Sequence, residues 1–147
     1  MKKFFKVIAA MLACIFLLST TAFAAETRNA RSSAYIFNTY AEMTAGRSGK
    51  LTISFSVAGM DVMSQIGAST IKIYEDDGKS TSLVATYRYT DTGYSNMMGY
   101  NKIQYSGTVS YTGTIGYKYY AEVYLTAKDS TGSDTITEPT STVTAKR

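Results

Sequence analysis

Histidine and tryptophan are absent from this chain of 147 residues, and cysteine and proline each occur only once. Without histidine there is no Ser-His-Asp or Cys-His catalytic arrangement, and the usual ligands of zinc and haem are also missing. The single cysteine, Cys14, has no second thiol in the chain with which to form a disulfide. We therefore expect a protein that is not an enzyme and that holds no cofactor or metal.

Long apolar runs are also absent except at the N-terminus, where residues 1–24 have the pattern of a secretory signal peptide. Three lysines precede an apolar stretch from Val7 to Leu18, and Ala22-Phe23-Ala24 forms an A-x-A cleavage site. A lipoprotein signal with a lipid on Cys14 is the alternative, but the apolar stretch continues for four residues beyond that cysteine. We expect a secreted, extracellular protein, either released or loosely associated with the cell wall. It would comprise a disordered lead-in at residues 25–33 and one domain at residues 34–147.

Most of the net positive charge of the chain comes from this N-terminal segment. The full sequence has 15 basic and 11 acidic residues, and three of the basic residues are signal-peptide lysines. The remaining chain is close to neutral, so it lacks the basic surface that drives nucleic-acid binding. It also has no apolar run of the roughly 20 residues that a membrane-spanning helix needs. Nucleic acids and a membrane span are therefore not expected.

What remains is rich in tyrosine, serine and threonine and follows a period of two, which is typical of β-strands. The alternation predicts seven strands: Tyr35–Thr44, Lys50–Ala58, Ser69–Glu75, Leu83–Thr90, Ile103–Tyr111, Tyr117–Lys128 and Ile136–Ala145. Between the second and third strands, Met60, Met63 and Ile66 are spaced by three and predict a single helical turn over Gly59–Ala68. Asp76-Asp77-Gly78-Lys79 predicts a hairpin turn, and Pro139 is compatible only with an edge strand or a bulge.

Seven short strands separated by turns, with no helical pattern between them, predict an all-β, antiparallel two-sheet sandwich. The predicted core is apolar and draws on nearly every strand. Its members are Ile36, Leu51, Ile53, Phe55, Val57, Ile71, Ile73, Val109, Tyr119, Val123, Leu125 and Val143.

The last third of the chain resembles a fibronectin type III or related immunoglobulin-like domain. The resemblance rests on Gly116-Tyr117-Lys118-Tyr119, on Ala127-Lys128-Asp129-Ser130-Thr131-Gly132 and on the final strand ending Ser141–Ala145. It implies that Tyr119 is the structural corner tyrosine, whose hydroxyl ties a loop backbone. The core tryptophan of that family is missing here. The chain after Ala24 is also similar to small, tyrosine-rich exported domains of Gram-positive bacteria, which are classed only as of unknown function.

The third, fourth and long sixth predicted strands are expected to lie near one another in one sheet, where Tyr74, Tyr120 and Tyr124 would point away from the core. Tyr87 or Tyr89 would lie nearby, and Lys72, Arg88 and Glu122 would lie between the rings. An exposed row of aromatic rings with polar edges is a common way to stack sugars or to anchor a protein partner. The alternative interpretation is that tyrosine is simply a good strand former that covers the outer surface of a small sheet.

The loop Asp91–Asn101 is the second candidate site. Tyr94, Asn96, Met97, Met98 and Tyr100 lie in it around two glycines. They could form an adaptable recognition loop, or Met97 and Met98 could fold back and fill the edge of the sandwich. The sequence leaves both possibilities open.

The acidic groups Glu75-Asp76-Asp77 and Asp129/Asp134 are a third candidate, for a weak calcium site. Neither supplies enough oxygen ligands at a recognisable spacing, and Asp with Gly is expected in turns. The leading hypothesis is therefore a secreted, non-catalytic binding or adhesion module that recognises a glycan or a protein, with glycan slightly favoured. The alternative is a structural component of the cell envelope or of a secreted matrix that self-associates through an edge strand. The sequence leaves the ligand and the oligomeric state open.

Overall fold

The computed structural model describes residues 33–147, which form an all-β domain without an α-helix. The predicted signal peptide, and the lead-in except for Ser33, lie outside these residues. The strands are β1 (Ile36–Ala45), β2 (Lys50–Met63), β3 (Gln65–Asp76), β4 (Thr81–Arg88), β5 (Met98–Gly99), β6 (Lys102–Thr112), β7 (Lys118–Lys128), β8 (Ser133–Pro139) and β9 (Val143–Thr144). One turn of 3-10 helix, Ser95–Met97, precedes β5. Seven of the nine strands are long, and each corresponds to a predicted strand.

The strands form two antiparallel sheets. The first sheet has the order β1-β2-β6, and the second has the order β4-β3-β7-β8, with β5 added to β3 and β9 added to β7. The expectation that the third, fourth and long sixth predicted strands share a sheet is confirmed, because they correspond to β3, β4 and β7. None of the helical structure in residues 33–147 is long and apolar enough to cross a bilayer.

The core lies between the sheets and follows the period-two pattern of the sequence. Alternate residues of β2 are buried from Leu51 to Val57, and alternate residues of β7 are buried from Tyr119 to Ala127. All of the predicted core residues are buried except Val143, which is half-buried. The alternation of apolar and polar residues along single strands is therefore enough to assign one face of each sheet to the core.

The helical turn predicted over Gly59–Ala68 is wrong. Strand β2 continues to Met63, only Ser64 separates it from β3, and Met60 is exposed rather than packed on the core. Met63 and Ile66 are both buried, but they lie on two consecutive strands. Their spacing of three arises because the chain reverses between them, and this reversal changes which alternate residues face inward.

The predicted final strand is divided in two. Strand β8 ends at Pro139, and β9 begins only at Val143, although both pair with the same neighbour, β7. Between them, Thr140 donates its N–H to the carbonyl of Ala121 at 2.9 Å and accepts the Ala121 N–H on its hydroxyl at 2.9 Å. Pro139 has no N–H to give to a ladder, and it lies at the end of an edge strand where none is needed.

Candidate functional site

Tyr74 and Tyr120 form a stacked pair on the outer surface of the second sheet. They lie directly opposite each other on β3 and β7, and their ring centroids are 4.9 Å apart with an interplanar angle of 9°. This separation is close to the spacing of adjacent strands, so the rings stand side by side across the ladder. The backbone pairing of the sheet therefore fixes the geometry of the stack.

A hydrogen-bonded network continues from this stack along the same surface. The carboxylate of Glu122 accepts hydrogen bonds from the hydroxyls of Tyr74 at 3.0 Å and Tyr124 at 3.2 Å. Lys72 donates to the Tyr124 hydroxyl at 3.2 Å, and its ammonium lies 4.9 Å from the centroid of that ring. We call these five residues, Lys72, Tyr74, Tyr120, Glu122 and Tyr124, the outer tyrosine face.

The charges of this face shift the pKa values of its own members. The hydrogen bond to Glu122 is the main cause of the raised pKa of Tyr74, and the hydrogen bond to Tyr124 is the main cause of the raised pKa of Lys72. The Tyr74 hydroxyl therefore stays protonated and Lys72 stays charged near neutral pH. In this state Lys72 and Tyr74 donate, Glu122 accepts, and the Tyr124 hydroxyl does both.

The structure places the remaining predicted site residues in different surroundings. Arg88 extends the outer tyrosine face, because it pairs with Thr70, which in turn pairs with Tyr124. Tyr87 does not belong to that face: it pairs with the buried Ile71 and packs against the core. Tyr100 is 53% exposed and follows β5 at the end of the loop.

Tyr87 instead stacks on Tyr94 with a centroid distance of 4.5 Å and an interplanar angle of 25°. This second aromatic pair joins the end of β4 to the loop Asp91–Asn101. Met97 and Met98 of that loop are buried, and β5 pairs Met98 with Gly67 of β3. Of the two interpretations of the loop, the structure therefore supports the one in which the methionines fill the edge of the sandwich.

An open groove lies beside this loop, and the sequence analysis did not identify it. It has a volume of about 420 Å³ and runs between the loop and one edge of β6; its lining residues are Thr92, Gly93, Tyr94, Asn96, Thr108, Val109 and Ser110. This volume lies within the range of ligand pockets. The groove joins the loop to the strand that follows it, β6, and no local motif in the sequence marks it.

Tyr119, at the start of β7, links the end of β3 to the turn that precedes β7. Its side chain is fully buried, and its hydroxyl accepts the backbone N–H of Thr114 at 2.7 Å and donates to the carboxylate of Glu75. The ring also packs over Gly113, where an added Cβ would lie 2.7 Å from it. The hydroxyl thus ties the backbone of the turn that precedes β7.

Among the acidic residues considered for calcium, Asp77 and Asp129 accept hydrogen bonds from the turns that contain them, whereas Asp134 accepts the Ser33 hydroxyl at 2.7 Å and the Ala34 N–H at 2.9 Å. Asp77 accepts the N–H groups of Lys79 and Ser80 at 2.8 and 2.9 Å, and Asp129 accepts those of Thr131 and Gly132 at 2.6 and 3.1 Å. The N–H groups of Ser80 and Lys79 hold the pKa of Asp77 below the usual value, and the Thr131 hydroxyl, which donates to Asp129 at 2.7 Å, does the same for Asp129 together with the Thr131 N–H. Within residues 33–147, no three potential metal ligands lie together.

Tyr87 gives a testable pH dependence. Burial, and then the neighbouring Tyr94, raises its pKa to about 12. The pKa of Tyr87 is higher in the folded than in the unfolded state, so the protonated side chain contributes its full stabilisation below the pKa of an exposed tyrosine, about 10. This contribution is lost as the pH rises towards 12. We expect a late step in the alkaline absorbance titration of tyrosine that is smaller by the contribution of one tyrosine in Tyr87→Phe. A late step of unchanged size in that variant would contradict the assignment.

Comparison with known proteins gives no family. No protein-family model matches the chain, and no curated protein matches it either. Among solved structures, the sporulation control protein Spo0M from Bacillus subtilis aligns with 78% of this chain at 13% identity and a TM-score of 0.41. The alignment covers 50% of the Spo0M chain, so this protein spans about half the length of that structure.

Proposed function

We propose that the protein is a secreted, non-catalytic binding module that contacts its ligand through the outer tyrosine face. The observation that carries the proposal is the stacked pair Tyr74–Tyr120 together with the network around Glu122. The order of strands in the two sheets and the corner contact of Tyr119 support an immunoglobulin-like or fibronectin type III-like sandwich. Export by the predicted signal peptide, and an origin in a Gram-positive bacterium, belong to the same proposal.

The arrangement suits binding because its side chains are ordered before a ligand arrives. Tyrosine supplies a large contact area with only two side-chain torsions, and here the stack and the hydroxyl bonds restrict those torsions further. Less conformational entropy is then lost when a ligand binds, and more of the interaction energy contributes to affinity.

The contacts favour a protein ligand over a glycan. A sugar ring stacks on a free aromatic face, but Tyr74 and Tyr120 each direct one face at the other, and Lys72 lies over Tyr124. The hydroxyls and charged groups are positioned to bond with a polypeptide, and Arg88 beside them is of a residue type that is enriched at protein interfaces. The sequence slightly favoured a glycan, and the test below includes both ligand classes.

The test compares Tyr120→Ala with Tyr40→Ala. Tyr40 is an exposed tyrosine on the first sheet whose hydroxyl bonds to Glu42 at 2.7 Å, so it is a matched control outside the outer tyrosine face. Peptides selected against the wild-type protein from a phage-displayed library serve as one probe, and a glycan array serves as the other. We expect peptide binding to weaken by a factor of about 10 or more in Tyr120→Ala, as for an interface hot spot. It should be unchanged in Tyr40→Ala.

Thermal melting is measured on each variant, so that loss of binding is separated from loss of folding. Glycan binding that disappears in Tyr120→Ala would retain the face as the site but overturn the choice of a protein ligand. Peptide binding that is unaffected by Tyr120→Ala, or a demonstrated catalytic activity, would overturn the proposed function.

A further inference from the structure

The two sheets have four long edge strands, and β6 differs from the other three. Strand β1 has a register shift between Ile36 and Asn38, β4 lies opposite a shift between Ile73 and Tyr74, and β8 ends at Pro139. Such bulges and prolines are among the features that prevent edge strands from pairing with other molecules. Strand β6 has its own register shift with β2 between Lys102 and Gln104, but from Gln104 to Thr112 the register is unbroken and the stretch contains no charged residue and no proline.

The outward-facing backbone groups of β6 can be assigned from its hydrogen bonds to β2. Gly113 donates its N–H to the carbonyl of Gly49 at 2.9 Å, and the register then pairs Tyr111 with Leu51. In an antiparallel ladder, alternate residues face the same neighbour, so the odd-numbered residues of β6 bond to β2. The N–H and C=O groups of Ser106, Thr108, Ser110 and Thr112 therefore point away from the sheet.

Part of this edge is covered and part is open. The Tyr105 hydroxyl donates to the carbonyl of Asn96 at 2.7 Å, and the same carbonyl is 3.3 Å from where a Cβ of Gly107 would lie. The loop thus approaches the edge near residues 105–107. Beside Thr108, Val109 and Ser110 lies the open groove. Among residues 33–147, no hydrogen bond engages the outward backbone groups of Thr108, Ser110 and Thr112.

We infer that the open edge Thr108–Thr112 of β6 pairs antiparallel with the same segment of a second copy of the protein. With Ser110 at a two-fold axis, Thr108 of each copy lies opposite Thr112 of the other, and two three-stranded sheets become one of six strands. The segment fits its own copy because antiparallel backbone groups are self-complementary, and a two-fold interface uses the same patch on both subunits. Opposed threonine and serine pairs are favourable, and no like charges meet across the axis.

This inference does not rest on the outer tyrosine face, which belongs to the other sheet. The side chains that flank the axis on the exposed surface are small hydroxyl residues, so the two copies meet without a bulky obstacle at the segment itself. An edge-to-edge contact of five residues is small by the standard of protein interfaces. We therefore expect weak association, with a dissociation constant between about 10 µM and 1 mM.

The experiment measures the weight-average mass of the purified protein by sedimentation equilibrium between about 10 µM and 1 mM, the range in which association of this strength is visible. The wild type should approach the dimer mass at the upper end. Ser110→Lys and Ser110→Glu place like charges at the axis, and each should remain monomeric. An equimolar mixture of the two variants should regain the dimer mass, because opposite charges then meet. The double variants Thr108→Lys/Thr112→Lys and Thr108→Glu/Thr112→Glu also place like charges opposite each other and provide a second set if either Ser110 variant melts abnormally.

Ser54→Lys is the matched control, because Ser54 lies on the same outer surface and pairs with Thr108 but belongs to the central strand β2. It should associate like the wild type. A wild type that stays monomeric at the highest concentration would overturn the inference. So would a Ser54→Lys variant that fails to associate, since the surface of the sheet rather than its edge would then be the interface. A mixture of charged variants that remains monomeric would also contradict it.

Discussion

Replacing Tyr119 with alanine will lower the free energy of unfolding by about 4 kcal/mol, the cost that accompanies removal of a large buried aromatic ring. Tyr119 is fully buried, packs at 5.9 Å from the ring of Tyr111 and covers Gly113. The alanine variant would also lose the acceptor of the Thr114 N–H and the donor to Glu75. Since domains of this size are stable by only about 5 to 15 kcal/mol, the melting temperature should fall by more than about 10 °C.

Two further variants divide this effect into its parts. Tyr119→Phe retains the ring and removes only the hydroxyl, so we expect a loss of about 1 to 3 kcal/mol from the two broken hydrogen bonds. Tyr117→Ala, two positions earlier on the exposed side, should change stability by less than about 1 kcal/mol. Urea denaturation of the three variants measures these values. If Tyr119→Phe is as stable as the wild type, the hydroxyl does not hold the turn at Thr114.

Much of the fold could be predicted because burial alternates along single strands. Leu51 to Val57 and Tyr119 to Ala127 alternate without interruption, so the sequence alone assigns their inner and outer faces. The alternation fails where two strands meet at a tight reversal, and the pattern around Met63 and Ile66 then imitates a helical spacing. The spacing of apolar residues alone cannot distinguish a helical turn from such a reversal, because the reversal depends on tertiary pairing rather than on local sequence.

The outer tyrosine face could also be predicted in outline. Tyr74, Tyr120 and Tyr124 were assigned to the outer surface by the same alternation, and the structure brings them together. Tyr87 or Tyr89 was expected near that group, but the pairing of Tyr87 with Ile71 turns Tyr87 towards the core. The register between β3 and β4 decides this orientation, and a single strand carries no information about it.

The loop Asp91–Asn101 and the groove beside it show a different limit of local sequence. Met97 and Met98 are equally compatible with an exposed recognition loop and with a core contact, since methionine adapts to either. What decides between them is the close approach of their backbone to Gly67, which lies thirty positions earlier in the chain. A glycine within a strand can mark such an approach, but it does not indicate which distant segment approaches.

Gly67→Ala is therefore expected to destabilise the protein by about 3 kcal/mol or more, because an added methyl group would collide with backbone rather than with a movable side chain. A Cβ at this position would lie 2.3 Å from the carbonyl oxygen of Met97 and 2.9 Å from the Cα of Met98. The two backbones would have to separate, and β5 would be displaced from β3. Met97, which is fully buried, would then lose its place in the core.

Gly78→Ala is the matched control for the conformational part of this effect. Gly78 has φ of 86°, but an added Cβ would have no heavy atom within 4 Å, so its substitution should cost only about 1 to 2 kcal/mol of backbone strain. A double-mutant cycle of Gly67→Ala with Met97→Ala then identifies the cause of the larger loss. If Gly67→Ala acts by displacing Met97, the double variant should be less destabilised than the sum of the single variants, because the same packing is lost only once. Strict additivity, or a Gly67→Ala variant as stable as Gly78→Ala, would mean that the approach of the loop to β3 does not hold the methionines in the core.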